Sequence, residues 1–253
     1  MPIKGIGINA HSPRLDGSLE VLEQDLTLFQ RVGFDYVEIP AHGVDAILNG
    51  RLNFRQMKRI KEVLANFDLQ YTVHCFDWLN LMAAEELSLH KSIFEASIDF
   101  AAQIGAGILV YHSGQLELGN EYLGSAAFTE DLLSLPHRVL IEENRRKERE
   151  ALAELAELAK EKGVTICVEN VGPRVDEEAL WELARRLRGK GVDLFHRIAP
   201  DGDLAIYNYG GVIDRLVEQI KAVDREKLAS LSTLATLTSP PSTMALISSN
   251  PSS

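Results

Sequence analysis

Short runs of apolar, often β-branched residues alternate along the chain with longer stretches in which apolar residues recur every three or four positions. The short runs are typical of strands buried in a parallel sheet, and the longer spacing is typical of amphipathic helices. The pattern predicts strands at residues 3–8, 35–39, 69–73 and 108–111, and a fifth within 163–173 that ends on Glu169. It predicts helices at 18–31, 54–66, 86–104, 139–162, 177–188 and 212–223.

A strand followed by a helix therefore recurs five times, and such repeating units predict a parallel sheet with right-handed crossovers. The sheet could close into a (β/α)8 barrel of the TIM type or stay open. Polar residues stand at or just beyond the ends of the five predicted strands, namely His11, Glu38, His74, His112 and Glu169. In a barrel the strand ends converge on one central site, whereas an open sheet would spread them along an edge. We therefore expect an α/β fold of the (β/α)8 TIM-barrel type.

Composition is that of an ordinary globular protein. The 253 residues, 45% of them hydrophobic, suit one α/β barrel with a substantial core. Cys75 and Cys167 belong to predicted strand regions rather than to spaced pairs, which argues against a disulfide framework and fits a reducing cytoplasm. The chain shows no signal-peptide pattern and no apolar run as long as a membrane span, so we expect a cytoplasmic protein without membrane contact.

Charge narrows the expected partners. The formal net charge of -11 argues against a broad nucleic-acid surface, so a nucleic-acid partner is less expected than a small molecule. Acids interleave the basic cluster of Arg145, Arg146, Lys147 and Arg149, and we interpret this cluster as a solvated helix face. The long polar segment 113–136 suggests an active-site loop that could act as a lid.

Two histidines and a carboxylate close three successive predicted strands. An unpaired charge in a buried strand is costly, so Glu169 is expected to face a metal or a polar cleft. A lone His74 or His112 would more often be a structural histidine, but with Glu169 the two favour a metal site. Their nitrogen and oxygen chemistry suits zinc or manganese better than magnesium alone. Glu38 either lines the same site or pairs with a helix end or an arginine.

Three short motifs carry a family resemblance. His74 followed by Asn80 and Leu81, the stretch 110–114 that reads VYHSG, and the stretch 168–170 that reads VEN resemble the xylose-isomerase-like TIM-barrel superfamily. That superfamily includes sugar and sugar-phosphate isomerases and epimerases and the endonuclease IV type of DNA-repair enzyme. The resemblance runs from residue 3 to about residue 173 and implies that His74, His112 and Glu169 bind divalent metal ions.

The resemblance implies a metal-dependent isomerase or epimerase acting on a sugar or sugar phosphate. In that chemistry a divalent ion, zinc or manganese with magnesium as a further choice, lowers the pKa of the proton next to a carbonyl, and a carboxylate or histidine moves that proton. Glu169 could double as the base, and Glu38 is the other candidate catalytic residue. Asn9 and His11 at the first strand end and Asn170 after the fifth are the expected substrate-binding residues, although His11 also suits an ordinary loop position.

Two other functions stay open. Histidines at both the third and the fourth strand ends favour an endonuclease IV-like phosphodiesterase, in which clustered metal ions activate water at an abasic site in DNA. The third alternative is a non-catalytic product that binds a metal or a partner without turnover.

The end of the chain departs from the family pattern, which continues with a sixth strand ending in Asp-x-x-His; none of the predicted strands ends that way. Residues 228–253 contain no Asp, Glu, Lys, Arg or Gly. Codons exist for residues 229–249 whose neighbouring frame reads GISLDFGHAYLAAFYYGFDFL, which contains the motif. We expect an incomplete barrel domain at 1–227 and a frame-shifted, disordered tail at 228–253, with a genuine Ser/Pro-rich tail as the alternative. An incomplete barrel would have impaired activity and could form a homo-oligomer through its open edge.

Overall fold

The fold is described from a computed structural model. It covers residues 5–83, 86–114, 138–171 and 213–223, four single positions between 185 and 191, and the short segments 231–234 and 243–245. The strands are β1 (Ile6–Asn9), β2 (Tyr36–Pro40), β3 (Ile47–Leu48), β4 (Arg51–Leu52), β5 (Gln70–His74), β6 (Ile108–His112), β7 (Thr165–Glu169), β8 (Leu231–Leu234) and β9 (Thr243–Ala245). The helices are α1 (Ser12–Leu15), α2 (Leu19–Val32), α3 (Phe54–Leu64), α4 (Leu87–Gln103), α5 (Arg138–Glu161) and α6 (Ile213–Ala222).

Strand order identifies the architecture. The main sheet has the order β8-β7-β6-β5-β2-β1-β9, in which all neighbouring pairs from β1 to β8 are parallel and β9 runs antiparallel to β1. Strands that are consecutive in this series therefore lie side by side, with a helix between them along the chain. A doubly wound open sheet reverses its strand order at a switch point, whereas a TIM barrel keeps the order sequential. The sequential order confirms the predicted TIM-barrel-type fold.

Local signals place the helix ends. The Ser18 hydroxyl accepts a hydrogen bond from the backbone N–H of Val21 and so caps the start of α2, which ends at Gly33 in the left-handed conformation with φ of 96°. Asn53 caps α3 in the same way, through the N–H of Gln56. These caps satisfy backbone groups that a helix end leaves without partners. They lie within one residue of the predicted starts of these two helices, at residues 18 and 54.

The central strands have two chemically different faces. On the outer face, alternate residues are fully or almost fully buried against the helices in one apolar core; they are Val37, Ile39, Val73, Leu109, Tyr111, Ile166 and Val168, packed with helix residues such as Leu26, Ile60, Phe94 and Leu155. The inner face is polar at the strand ends and carries Glu38, His74, His112 and Glu169. Side chains alternate between the faces of a strand, so apolar packing on one side fixes which residues point to the other.

The interpretation of the basic cluster on α5 is wrong for Arg145. This residue is only 7% exposed, and its guanidinium pairs with Glu142 at 3.0 Å. Helix α6 packs against this part of α5: Gln219 donates to the Arg145 carbonyl at 2.8 Å and accepts from Arg149 Nη1 at 2.8 Å. Arg146 is exposed as expected. Contacts with a distant helix, which helical periodicity does not reveal, bury one side of the cluster.

Some elements of the structure differ from the prediction, and some predicted elements lie outside the described residues. The short helix α1 and the β3–β4 hairpin were not predicted. The helix predicted at 177–188 lies largely outside the described residues, as does the loop beyond Gly114 that was interpreted as a lid. In the predicted tail, β8 and β9 are strands, and the rest of 228–253 also lies outside the described residues; the frame-shift interpretation stays a prediction. Within the described segments, no helix combines the length and apolar character needed to cross a membrane.

Candidate metal centre

The ends of three neighbouring parallel strands bring the predicted metal ligands together. His74 ends β5, His112 ends β6 and Glu169 ends β7. In the sheet, His112 is the direct register partner of Glu169, and His74 is the partner of Val110, two residues before His112. All three side chains lie on the inner face, because the residues that alternate with them pack outward against the helices.

Glu169 lies between the two histidines. Its Oε2 atom is 3.5 Å from His74 Nε2 and 3.6 Å from His112 Nε2, and the imidazole rings meet edge to face with centroids 4.7 Å apart. These N···O distances exceed those of ordinary hydrogen bonds. They are close to the edge of a tetrahedral metal site, which is about 3.3–3.5 Å for metal–ligand bonds of about 2.0–2.15 Å. The spacing therefore suits an ion held between the three side chains.

A backbone contact fixes which nitrogen of His74 faces the site. The carbonyl oxygen of Cys75 lies 2.7 Å from His74 Nδ1. A carbonyl only accepts hydrogen bonds, so Nδ1–H donates, and Nε2 is the nitrogen that faces Glu169 and would bind an ion when His74 is neutral. This second contact is how proteins commonly orient a metal-binding imidazole.

Asp77 and His42 extend the cluster and were missed from the sequence. His74, Asp77 and His112 have ligand atoms that all lie within 4.8 Å of one another, a group that could hold a metal ion. Asp77 Oδ1 is 3.4 Å from His74 Nδ1, and Asp77 Oδ2 is 3.4 Å from His42 Nε2. The Nδ1 contact with the Cys75 carbonyl favours Nε2 as the ligand atom of His74, so Asp77 is better placed as a neighbour of the ligand set or as a further ligand. Both residues follow a strand end by two or three positions, and a search slightly beyond the strand ends would have included them.

Glu38 is a second carboxylate on the inner face, and unlike Glu169 it is buried. It is 4% exposed, its Oε1 accepts from Asn9 Nδ2 at 2.5 Å, and its Oε2 is buried without a hydrogen-bond partner. Burial raises the pKa of Glu38, and the negative charges of Glu169 and Asp77 add to the increase; His74 and the Asn9 bond oppose it. A buried carboxylate oxygen without a partner is unusual in a protein interior and indicates a ligand or water in the working molecule.

The surroundings of the two histidines shift their pKa values in opposite directions. Burial lowers the pKa of His74, but the Glu169 and Glu38 carboxylates and the Cys75 carbonyl outweigh it and raise the pKa to about 9. Burial and the nearby positive His74 lower the pKa of His112. Burial raises the pKa of Asp77, yet the histidines around it, His42 first, outweigh this and hold it below its usual range. The cluster therefore combines anionic oxygen with imidazole nitrogen in a water-poor setting.

The remaining predicted residues lie in different surroundings. Asn9 ends β1 and contacts Glu38 as described. Asn170 follows Glu169, and its Oδ1 is buried without a hydrogen-bond partner. His11 is exposed at the start of α1 and does not cap that helix with its side chain. Cys75 and Cys167 are buried free thiols, and burial raises the pKa of Cys75, so its reactive thiolate is suppressed.

The donor set fits a divalent ion. One Glu169 oxygen lies near both imidazole nitrogens, the two histidines form with Asp77 a group that could hold a metal ion, and Glu38, with one oxygen lacking a hydrogen-bond partner, lies on the same face. Such a set is compatible with zinc or manganese, and the carboxylates also with magnesium.

Comparison with known families places the chain. Residues 26–228 match the family model described as xylose isomerase-like TIM barrel. Because this match covers most of the chain, the protein belongs to the xylose isomerase-like TIM barrel family. No curated protein gives a significant match to the chain.

Solved structures agree at the level of the fold. A xylose isomerase-like TIM barrel protein from Mycobacterium smegmatis, in complex with magnesium, is 15% identical over 92% of this chain and 64% of its own, with a TM-score of 0.53. The D-psicose 3-epimerase with D-tagatose from Clostridium cellulolyticum H10 is 13% identical over 90% of this chain and 62% of its own, with a TM-score of 0.52. The chain thus spans less than two thirds of the length of either protein.

Proposed function

We propose that this chain carries the site of a divalent-metal-dependent isomerase or epimerase acting on a sugar or sugar phosphate. The observation that carries the proposal is the arrangement of His74, Glu169 and His112 at 3.5 and 3.6 Å, with the buried Glu38 carboxylate on the same face. A metal ligand set that can polarise a carbonyl, beside a separate buried acid that can move a proton, suits proton transfer next to that carbonyl.

The roles of the residues follow from their surroundings. A bound divalent ion would polarise the carbonyl oxygen of the sugar and acidify the neighbouring C–H group. Glu38 is the proposed group that accepts and returns that proton, because burial raises its pKa and so makes the carboxylate a stronger base. Asn9 donates a hydrogen bond to the carboxylate and holds it in place. Glu169 is the proposed metal ligand and second candidate base. Asn170 and His11 are the proposed contacts to sugar hydroxyls.

Zinc or manganese is the proposed ion, because imidazole is a better ligand for these ions than for magnesium. Magnesium is the third ion to test, because the Mycobacterium smegmatis protein was solved in complex with magnesium. The D-tagatose bound to the Clostridium cellulolyticum enzyme supports a ketohexose as the first substrate to try, although the likeness is one of fold.

Solvent exchange tests the proposal directly. The chain is depleted of metal, reloaded with Mn²⁺, Zn²⁺ or Mg²⁺, and incubated with D-tagatose or a ketohexose phosphate in D₂O. We expect NMR to detect deuterium next to the carbonyl, together with the epimer or aldose product, and we expect Glu38→Gln to remove both while metal binding remains. The proposal would be contradicted if neither this chain nor the version with the replaced end described below, both folded and metal-loaded, exchanged a proton of any sugar tested.

A second candidate is cleavage of abasic DNA, which the histidines at the ends of both β5 and β6 favour because phosphodiester hydrolysis uses several metal ions. The net charge of -11 disfavours it. Nicking of a duplex with a single abasic site, measured with the same metal-loaded samples, separates it from sugar chemistry. Metal binding without either activity would leave the non-catalytic alternative.

We also propose that residues 228–253 replace the native end of the barrel and impair the activity. A version in which residues 229–249 are replaced by GISLDFGHAYLAAFYYGFDFL should regain an Asp-x-x-His motif and exchange solvent deuterium faster per mole. Equal activity of the two chains would contradict this replacement. The nucleotide sequence across the codons for residues 227–253 is the independent check.

A further inference from the structure

Behind the metal centre, on the outer face of the sheet, lies another buried carboxylate, that of Glu148. Glu148 of α5 is 1% exposed, and its two oxygens accept hydrogen bonds from three separate segments. Tyr111 Oη donates to Oε1 at 3.1 Å, the backbone N–H of Gly114 donates to Oε1 at 2.5 Å, and Gln219 Nε2 donates to Oε2 at 2.9 Å. A buried carboxylate is costly unless it is bonded in this way.

The groups that Glu148 holds flank the metal ligands. Tyr111 precedes His112, and Gly114 follows it by two residues, so the carboxylate is bonded to a side chain before His112 and to the backbone after it. The residue between them, Ser113, donates its N–H to the Glu169 carbonyl at 3.0 Å. The turn at the end of β6 is therefore bound to α5 on one side and to the last residue of β7 on the other.

The Tyr111 hydroxyl extends the connection to the loop after β5. It accepts a hydrogen bond from the backbone N–H of Leu81 at 3.2 Å while it donates to Glu148. Burial raises the pKa of Tyr111 well above its usual value, and the Glu148 charge adds to this, so the hydroxyl keeps the proton it donates. Leu81 belongs to the loop that begins after His74 and includes Asp77.

Gly114 shows how closely the two segments are fitted. A Cβ atom at this position would lie 2.5 Å from Met82 Cγ and 2.6 Å from Glu148 Oε1. A larger residue would therefore push either the β5 loop or the carboxylate away. The absence of a side chain at Gly114 allows the N–H to reach Oε1.

We infer that Glu148 and Tyr111 are positioning residues, which hold the loop after β5 and the turn after β6 so that His74, His112 and Glu169 present a ready-made metal site. This inference rests on the proposed metal site but concerns residues that do not touch the ion or the substrate. Outer contacts that orient ligands typically change metal affinity by about 10- to 100-fold.

The test compares Tyr111→Phe and Glu148→Gln with matched controls. Tyr71 lies at the opposite end of β5, where its hydroxyl donates to the Leu64 carbonyl at 3.0 Å, so Tyr71→Phe also removes one tyrosine hydrogen bond. Glu150→Gln neutralises an exposed acid on the same helix as Glu148. Calorimetric titration with Mn²⁺ or Zn²⁺ gives the affinity, and urea unfolding of the metal-free proteins gives the stability.

We expect the Tyr111 and Glu148 variants to bind the ion about 10-fold more weakly, whereas both controls bind it as the unaltered chain does. The Tyr71 control loses stability without losing affinity, which separates positioning from general destabilisation. A Co²⁺-loaded sample supplies a second readout, because its visible spectrum should change in the Tyr111 and Glu148 variants and stay constant in the controls. Affinity and spectrum equal to those of the unaltered chain in both variants would overturn the inference. An unaltered chain that binds no divalent ion would overturn the proposed metal site, and with it this inference.

Discussion

Glu38 and Glu148 are both buried carboxylates, but they lie on opposite sides of the same sheet and differ in how fully their oxygens are hydrogen-bonded. Glu148, on the outer side, has both oxygens engaged by hydrogen bonds from three segments. Glu38, on the inner side, has one oxygen bonded to Asn9 and the other without a hydrogen-bond partner. Protein stability favours buried carboxylates whose oxygens are all hydrogen-bonded, as those of Glu148 are. Glu38 has an oxygen without such a bond, so its burial needs a functional explanation.

The strongest test of this contrast removes the inner ligands. Glu169→Gln and His74→Ala should each weaken binding of Zn²⁺ by roughly 1,000-fold, because a structural zinc site draws about 10–16 kcal/mol from its full ligand set. Calorimetric titration measures the loss. Glu154→Gln, an exposed acid on α5, is the control and should bind normally. If either variant bound Zn²⁺ as tightly as the unaltered chain, the substituted residue would not be a ligand of the ion.

Removal of the outer carboxylate should cost stability instead. Glu148→Ala leaves the Tyr111 hydroxyl and the Gly114 N–H without their acceptor and removes one of the two acceptors of the Gln219 amide, and we expect the free energy of unfolding to fall by about 3 kcal/mol. Urea unfolding of the metal-free protein measures it. Glu143→Ala removes an exposed acid of the same helix and should change stability by less than about 0.5 kcal/mol. A similar small change in both variants would contradict the structural role.

The inner side also predicts how stability depends on pH. The folded pKa of His74 is about 9, above its ordinary value of 6.5, so the folded state binds the proton more tightly than the unfolded state. The resulting stabilisation is complete below pH 6.5 and disappears as the pH rises to 9. Urea midpoints of the metal-free protein should therefore fall across this interval, and less steeply in His74→Gln. Parallel pH profiles of the two proteins would refute the assignment.

The smallest expected effect is an increase in stability rather than a decrease. Glu38→Gln keeps an oxygen that can accept from Asn9 but removes a charge that burial opposes, and we expect a gain of about 1 kcal/mol in the free energy of unfolding of the metal-free protein at pH 8. Sugar exchange should be lost in the same variant. Urea unfolding and the deuterium assay measure the two effects on one sample. Destabilisation on this substitution would remove the contrast with Glu148.

The fold and the centre of the site were accessible from sequence because they obey local rules. Apolar runs gave the strands, and the convergence of parallel strand ends predicted that His74, His112 and Glu169 would lie near each other. Asp77 and His42 escaped that rule because their positions depend on the path of a loop. Arg145 was misassigned because its burial depends on α6, more than sixty residues away along the chain. Long-range packing carries no periodic signal within either helix.

The two ends of the main sheet are formed by segments whose composition is typical of unfolded chain. Four residues of β8 pair with β7, and three residues of β9 pair with β1. Ladder hydrogen bonds use only backbone groups, so a segment can lose the catalytic residues of its family and still shield a neighbouring strand from other molecules. A soluble preparation of a chain with such edges would consequently say little about whether its candidate metal site is active.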